Sequence, residues 1–374
     1  MLIDLPSNRS EGWRWSDLSA LPDLQARAPL GGVSEDLPWI GGDGPRLLFV
    51  DGCFDADRSR PGPVATGTVA VEAGDHPLAR LAGRSGWKLR LGRDHATGHP
   101  VQIVHVSTGA ADHLAAEIEL DVDAQASVIE TFIGEGWVNR LTGIRLFKGS
   151  RLMLNRRLLG ASGFVSLTDR AAVGEGASLV MATLAAGGRD TRLDGTITLA
   201  GEQAFAEAAA ALLARGRQRH DANLVVRHDL PHGMSRQLWR SVADERATCS
   251  VAARVEVARN AQKTDGEQSL KGLLLDRGAT INAKPELEIF ADDVKCAHGA
   301  TVGELDRDAL FYLESRGVAP GHAKALLTRA FVADALDRIG EEEVRATFYA
   351  DAEAWFTPLP EGEREGPGAS AAGG

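Results

Sequence analysis

The chain has 374 residues, 44% of them apolar and 25% charged, so it can bury a sizeable core and is not disordered throughout. Its formal charge of −11 makes the whole molecule a poor match for nucleic acid or an anionic membrane surface. Aromatics are only 5%, which disfavours carbohydrate binding by stacking, and three scattered cysteines (Cys53, Cys249, Cys296) build neither a disulfide framework nor a four-cysteine zinc site.

The cysteine usage suits a reducing, cytoplasmic setting. Residues 1–15 are polar, and no run approaches ~18 consecutive apolar residues, so neither a signal peptide nor a transmembrane helix is expected. Residues 1–100 are rich in turn signals: Gly31-Gly32, Gly41-Gly42, Gly44-Pro45 and Pro61-Gly62-Pro63. Between them, Leu47-Leu48-Phe49-Val50 reads as a strand, and a small N-terminal α+β domain is expected. Val101-Gln-Ile103-Val104-His-Val106 reads as another strand at its boundary.

Residues 101–303 alternate apolar and polar side chains with period two, the mark of strands with one buried face. Val251, Ala253, Val255 and Val257 alternate with Arg254 and Glu256; Ile281, Ala283, Leu287 and Ile289 alternate with polar residues. Gly-Ala-Ser/Thr recurs at 160, 176, 278 and 299, and spacings near 20 residues suit the rungs of a parallel β-solenoid. The Ala-rich stretch 202–214 has helical composition but strand-like flanks, and a strand is expected there. Chance recurrence in a Gly/Ala-rich chain is the competing explanation of the repeat.

Residues 304–357 switch to helical spacing. Leu305, Ala309, Leu310 and Leu313 make one helix stopped by Gly317. Ala323, Leu326, Leu327, Ala330, Phe331, Leu336 and Ile339 make the apolar stripe of a second helix ending at Gly340. Glu341-Glu342-Glu343 open a third, placing acids where a helix N-terminus favours them. Residues 358–374 hold little to bury and read as a disordered tail.

No Walker A loop, Gly-x-Ser-x-Gly, His-Glu-x-x-His or dinucleotide fingerprint is present, so ATP hydrolysis by this chain is not expected and no catalytic residue is assigned. His220, His228 and His232 lie near Asp221 and Asp229, as a metal site or as solvated histidines of a turn. On a strand, Cys296 and His298 share one face. Together they offer a soft two-point metal ligand set, a Cys–His nucleophile, or a buried cysteine beside a hydrogen-bonded histidine.

Leu287-Glu-Ile-Phe-Ala-Asp-Asp-Val-Lys-Cys-Ala-His-Gly-Ala-Thr-Val-Gly303, followed by Leu305-Asp306 and Leu310-Phe-Tyr-Leu-Glu-Ser-Arg-Gly317, resembles the C-terminal signature of the SufB/SufD family of iron–sulfur cluster assembly proteins. Ala261-Gln-Lys-Thr-Asp265, Leu273-Leu-Leu275 and, near the start, Leu5-Pro6, Glu11, Trp13 and Asp17-Leu18 extend the resemblance over nearly the whole chain. Gly299 directly after His298 is similar to the SufD side; SufB usually carries an acid there and further cysteines upstream. The chain departs from the family pattern in beginning almost at the Trp13 motif and in carrying Ala253 where glycine is common.

The resemblance implies a mainly β fold: a right-handed parallel β-helix core, a small N-terminal α+β cap and a C-terminal helical domain. It implies a non-catalytic scaffold with no cofactor of its own, pairing with SufB and docking the ATPase SufC. A nascent iron–sulfur cluster forms at the SufB interface in this reading, with His298 first and Cys296 second as contributing groups. The helical residues Leu326, Leu327, Ala330 and Phe331 are the candidate SufC contact. Ile289 and Val294, in the last rungs, are candidates for the SufB pairing edge, since exposed strand edges invite pairing. The alternatives are a β-helix enzyme acting on a polysaccharide and a SufB-like homodimeric cluster scaffold; a homodimer in isolation fits either scaffold reading.

Overall fold

A two-residue side-chain period buries one face of a strand only if neighbouring strands stack in register, and the chain does this over most of its length. The computed structural model describes residues 5–356. The strands are β1 (Arg46–Val50), β2 (Cys53–Arg60), β3 (Val64–Thr68), β4 (Ser85–Leu91), β5 (Val101–Ser107), β6 (Ala111–Leu120), β7 (Gln125–Gly134), β8 (Trp137–Leu146), β9 (Arg151–Leu158), β10 (Phe164–Val173), β11 (Ser178–Ala185), β12 (Asp190–Leu199), β13 (Phe205–Ala214), β14 (Arg219–His228), β15 (Met234–Ala243), β16 (Thr248–Val257), β17 (Asp265–Leu274), β18 (Thr280–Ile289) and β19 (Lys295–Glu304). The α-helices are α1 (Leu21–Ala26), α2 (Arg307–Ser315), α3 (Pro320–Leu336) and α4 (Glu342–Phe356).

Two sheets face each other across the interior. One runs β19-β17-β15-β13-β11-β9-β7-β5-β1-β2 and the other β18-β16-β14-β12-β10-β8-β6-β4-β3. All pairings from β5 and β6 onward are parallel, so each rung is one strand from each sheet: a parallel β-solenoid. The rungs are longer than about 20 residues, the spacing expected of a repeat unit. Ala111 pairs with Trp137, 26 residues on, and Thr248 with Thr280, 32 residues on. The Gly-Ala-Ser/Thr recurrences are not equivalent: Gly176 and Gly278 sit in turns before strands, Gly160 in a loop, and Gly299 in the middle of β19. Residues 46–91 do not form a sheet of their own. β1 pairs in parallel with β5 and β4 with β6, extending the solenoid's sheets. The 358–374 tail lies outside the described residues.

The interior is apolar in its middle rungs. Val128, Leu154, Met181 and Ala208 stack as one column, each paired with the next. β13 is the strand with helical composition. Ala206, Ala208, Ala210 and Leu212 pack inward while Ala209, Ala211 and Leu213 are buried on its other face. Burial on both faces overrides alanine's helical propensity.

Both outer faces are covered. Trp13, Leu18, Leu21, Leu24 and Leu78 pack with Trp137 and Phe164 on the even-numbered sheet. The buried Arg192 fastens this cover. It bonds Asp194 through two nitrogens (2.7 and 2.6 Å), Asp221 (2.5 Å), Ser16 Oγ (3.0 Å) and the Gly12 carbonyl (2.7 Å), with Trp13 stacked over it at 4.4 Å. The odd-numbered sheet is covered by α3 and α4. α2 is capped by the Asp306 side chain, and Gly317 ends it with a left-handed φ of +86°.

α3 buries only part of the expected stripe, Ala323 and Leu336, with Ile339 just beyond its end. Ala323, Thr328, Val332, Ala335 and Leu336 are buried, whereas Leu326 and Ala330 are exposed and Leu327 and Phe331 half-buried. The helix is apolar nearly all round, so spacing alone did not choose its face. Small Val332 and Ala335 let it lie close on β11, β13 and β15.

His105 and His220 are buried in the interior, and burial first of all pulls each pKa down to about 4. For His105 the Arg140 charge adds to this, opposed by Glu130. Both are neutral in the folded chain but titrate near 6.5 when unfolded, so their contribution is complete above pH 6.5 and is lost as pH falls towards 4. At pH 5 each costs about 2 kcal/mol relative to neutral pH. The fall in stability between pH 7.5 and pH 5 in urea unfolding should therefore be smaller by about 2 kcal/mol in His220→Gln than in the wild-type chain. A pH-independent urea midpoint over this range would contradict the assignment.

Candidate functional site

The two ends of the solenoid are finished differently. At the N-terminal end β2 and β3 turn back antiparallel on β1 and β4 and close the sheets. At the other end β18 and β19 are the last strands, each ten residues long, with no strand beyond them. Their burial falls away accordingly: β18 is mostly half-buried and β19 mostly exposed.

Backbone polarity at this end follows from alternation along a strand. The Lys295 N–H bonds inward to Thr264 O (2.8 Å). Cys296, His298, Ala300 and Val302 therefore direct their N–H groups off the free edge of β19. On β18 the Thr280 and Phe290 N–H groups bond inward to Ala247 O and Val257 O (2.9 Å each). That leaves Ile281, Ala283, Leu287 and Ile289 facing outward, and Pro285 occupies the central outward position. An edge is where a strand tolerates proline. The free edge of β18 is thus interrupted and that of β19 is continuous.

Cys296 and His298 share the inward face of β19, as the spacing predicts, directly above Gly266 and Gln268 of β17. Cys296 is half-buried among Val255, Val257, Ala261, Leu287 and Val294. Burial, helped by the Asp265 carboxylate and opposed by a Gly266 backbone hydrogen bond, pushes its thiol pKa up. His298 is exposed at the open end. Among the described residues no group of three or more His, Cys, Asp or Glu side chains is arranged to hold a metal. Ile289 is the last residue of β18 and 38% exposed, while Val294 is half-buried one residue before β19.

His220, His228 and His232 form no metal cluster, and only His232 is exposed to solvent. His220, the second residue of β14, and His228, its last, point into the solenoid. His220 Nε2 donates to the Leu213 carbonyl (3.0 Å), and His228 Nε2 bonds Ser235 Oγ (2.8 Å). His232 sits apart in the following turn with φ +60°. Cys249 is fully buried, and that burial pushes its thiol pKa up; Cys53 is exposed in β2, at the far end.

Sequence reasoning passed over the exposed apolar side chains beside the open edge. Among the described residues, six of the ten exposed large hydrophobics fall between residues 289 and 326: Ile289, Phe290, Val302, Phe311, Tyr312 and Leu326. Phe311 and Tyr312, 73% and 57% exposed, are adjacent aromatics on α2, a helix with no buried residue. No helix among the described residues is long and apolar enough to cross a membrane.

Residues 104–331 match the family model described as SUF system FeS cluster assembly, SufBD core domain. The chain is 26% identical to the iron–sulfur cluster assembly protein SufD of Escherichia coli (strain K12), over 91% of this chain and 87% of that protein. It is 25% identical to the SufBD family protein ML0594 of Mycobacterium leprae over 95% of this chain and 91% of the relative. A shorter stretch, 33% of the chain and 27% of the relative, is 43% identical to the SufBD family protein slr0076 of Synechocystis.

The three cysteine environments predict an order of reactivity. In the native chain a thiol reagent should modify Cys53 first and Cys296 at least about tenfold more slowly, leaving Cys249 untouched until the chain unfolds. Peptide mapping after timed alkylation reads this directly, and early labelling of Cys249 would contradict the packing.

Proposed function

The chain belongs to the SufB/SufD family of iron–sulfur cluster assembly proteins, on its SufD side, and from that premise we propose that it is a cytoplasmic, non-catalytic scaffold subunit of a SufB–SufC–SufD complex. The observation that carries the proposal is the uncapped last rung. A row of outward-facing donors on β19 is a template for another chain's strand. SufB, built on the same family core, is the partner whose last rung offers the same kind of edge. Pairing of the two makes a pseudo-symmetric heterodimer, and the nascent cluster, the cargo of the reaction, assembles beside His298 and Cys296 at the seam. His298 serves as an iron ligand when neutral or as a proton carrier near neutral pH. Cys296, with its raised thiol pKa and apolar surroundings, ranks second.

SufC, which supplies the ATPase that this chain's motifs do not encode, docks on the helical module. Leu326 and Ala330 are exposed on α3, with Leu327 and Phe331 half-buried beside them, and Phe311 and Tyr312 of α2 add further exposed apolar surface. The helices cannot simply be cut away to test this. Val332, Leu336, Phe348 and Trp355 cover Ala182, Leu184, Ala211 and Leu213, so truncation after Asp306 would bare the outer face of the sheet. Family membership favours this scaffold over an enzyme acting on a polysaccharide.

Three substitutions separate the parts. Ala300→Pro removes an outward donor of β19 while keeping the ladder to β17. It should weaken SufB copurification about tenfold or more without lowering the thermal midpoint, whereas Thr301→Pro, whose N–H faces β17, should destabilise the fold itself. Phe311→Asp with Leu326→Asp should release SufC and retain SufB. His298→Ala should leave the complex and its ATPase intact but lower the iron and sulfide recovered anaerobically. Wild-type SufB binding by a folded Ala300→Pro chain would overturn the edge assignment, and a stable homodimer that carries a cluster alone would favour the homodimeric scaffold.

A further inference from the structure

The column that ends in His298 changes character at the open end. Its middle members Val128, Leu154, Met181 and Ala208 are apolar; its last three are Gln237, Gln268 and His298, in direct register on β15, β17 and β19. Both glutamines are 1% exposed. Two long amides in a solenoid interior are costly unless each polar atom finds a partner. Gln237 Nε2 donates to the Arg254 carbonyl (2.9 Å). Gln237 Oε1 and both polar atoms of Gln268 are buried with no protein partner.

The pattern of what is filled and what is free has a direction. With Nε2 of Gln237 committed to a carbonyl, its Oε1 can only accept. The one donor one rung out is Gln268 Nε2. That leaves Gln268 Oε1 as an acceptor facing the next rung, where the column places His298. Stacked strands stand ~4.8 Å apart, the spacing at which glutamine side chains in register form amide ladders.

We propose that Gln268 is the positioning residue of His298: its Oε1 accepts the N–H of one imidazole nitrogen, so that the other nitrogen faces the open end with its lone pair free. The inference rests on the reading of His298 as a cluster-assembly group, and it states which form of the ring that group takes. A histidine that gives one N–H to a carbonyl oxygen is held in the tautomer and orientation a metal ion requires. The Arg254 carbonyl, three links away, sets the polarity of the chain, and Gln237 transmits it.

Histidine-selective ¹⁵N NMR of the free chain tests this without any cluster, the His298 signal being identified by its loss in His298→Ala. In the wild-type chain one neutral tautomer of His298 should dominate. Gln268→Leu should give a mixed tautomer population and move the titration midpoint by about half a unit or more. Gln268→Glu should raise the midpoint by about one unit or more, since a carboxylate in contact favours the imidazolium. If Gln268→Leu does not fold, Gln268→Met makes the same deletion with an unbranched side chain. A His298 signal unchanged in tautomer and midpoint by both the apolar and the acidic variants overturns the proposal. Iron and sulfide in His298→Ala complexes report on the cluster role separately: wild-type content there would sink that role while the ring's response to Gln268 still stands or falls alone.

Discussion

A parallel β-ladder must end, and at each end a row of backbone donors and acceptors has to be disposed of. This chain treats its two ends in opposite ways. At the N-terminal end, hairpins reverse β2 against β1 and β3 against β4. The outer strands there are blunted by familiar means: β2 carries Asp55, Asp57, Arg58 and Arg60, and β3 is only five residues long with Gly67 inside it. At the C-terminal end neither device is used. β19 offers ten residues with no proline and no reversing hairpin, and its neighbourhood is apolar at Ile289, Phe290 and Val302. A protein that protects one edge and leaves the other open has an asymmetric use for its ends.

The covers on the two faces follow from the same geometry. Each rung buries its inward face against its neighbours, but the outward faces need something else. The N-terminal segment serves one sheet through the Arg192 fastening, and α3 and α4 serve the other. Arg157 holds Asp351 of α4 with two bonds (2.6 and 3.0 Å) and reaches the Pro38 carbonyl (2.8 Å). α3 sits on β11, β13 and β15, while α2 follows β19 after two residues.

How legible this was varied with the physics. Period-two alternation at Val251–Val257 and Ile281–Ile289 gave the strands, since a half-buried strand writes its burial into its sequence. Cys296 and His298 could be put on one face for the same reason. The rung length could not be read, because Gly-Ala-Ser/Thr marks turns, loops and even strand β19 alike. The buried face of α3 was caught only in part, the helix being too apolar to show a stripe. His220 and His228 were taken for turn residues because nothing local says that a histidine at a strand end points inward. Glu130, Arg156 and Gln268 look like wet-face residues in the sequence; only the register shows that they point inside.

Those interior polar groups divide into two kinds, and the difference separates structure from function. Near the closed end Arg156 bonds Glu130 (2.8 Å) and both oxygens of Asp169 (2.5 and 2.8 Å), and its remaining reach goes to Thr142 (3.3 Å). The Arg156 guanidinium, and after it the His105 contact, hold the Glu130 carboxyl down at about 2 against a burial that would raise it. Every charge there has its counter-charge, so the cluster is self-contained and asks nothing of a partner. At the open end Gln237 and Gln268 are neutral, equally buried and incompletely bonded. A buried amide without a partner is an expense that packing alone would have removed by substituting leucine or methionine, as the same column does at Leu154 and Met181. Within this column it persists only in the two rungs behind His298, where the proposed chemistry lies.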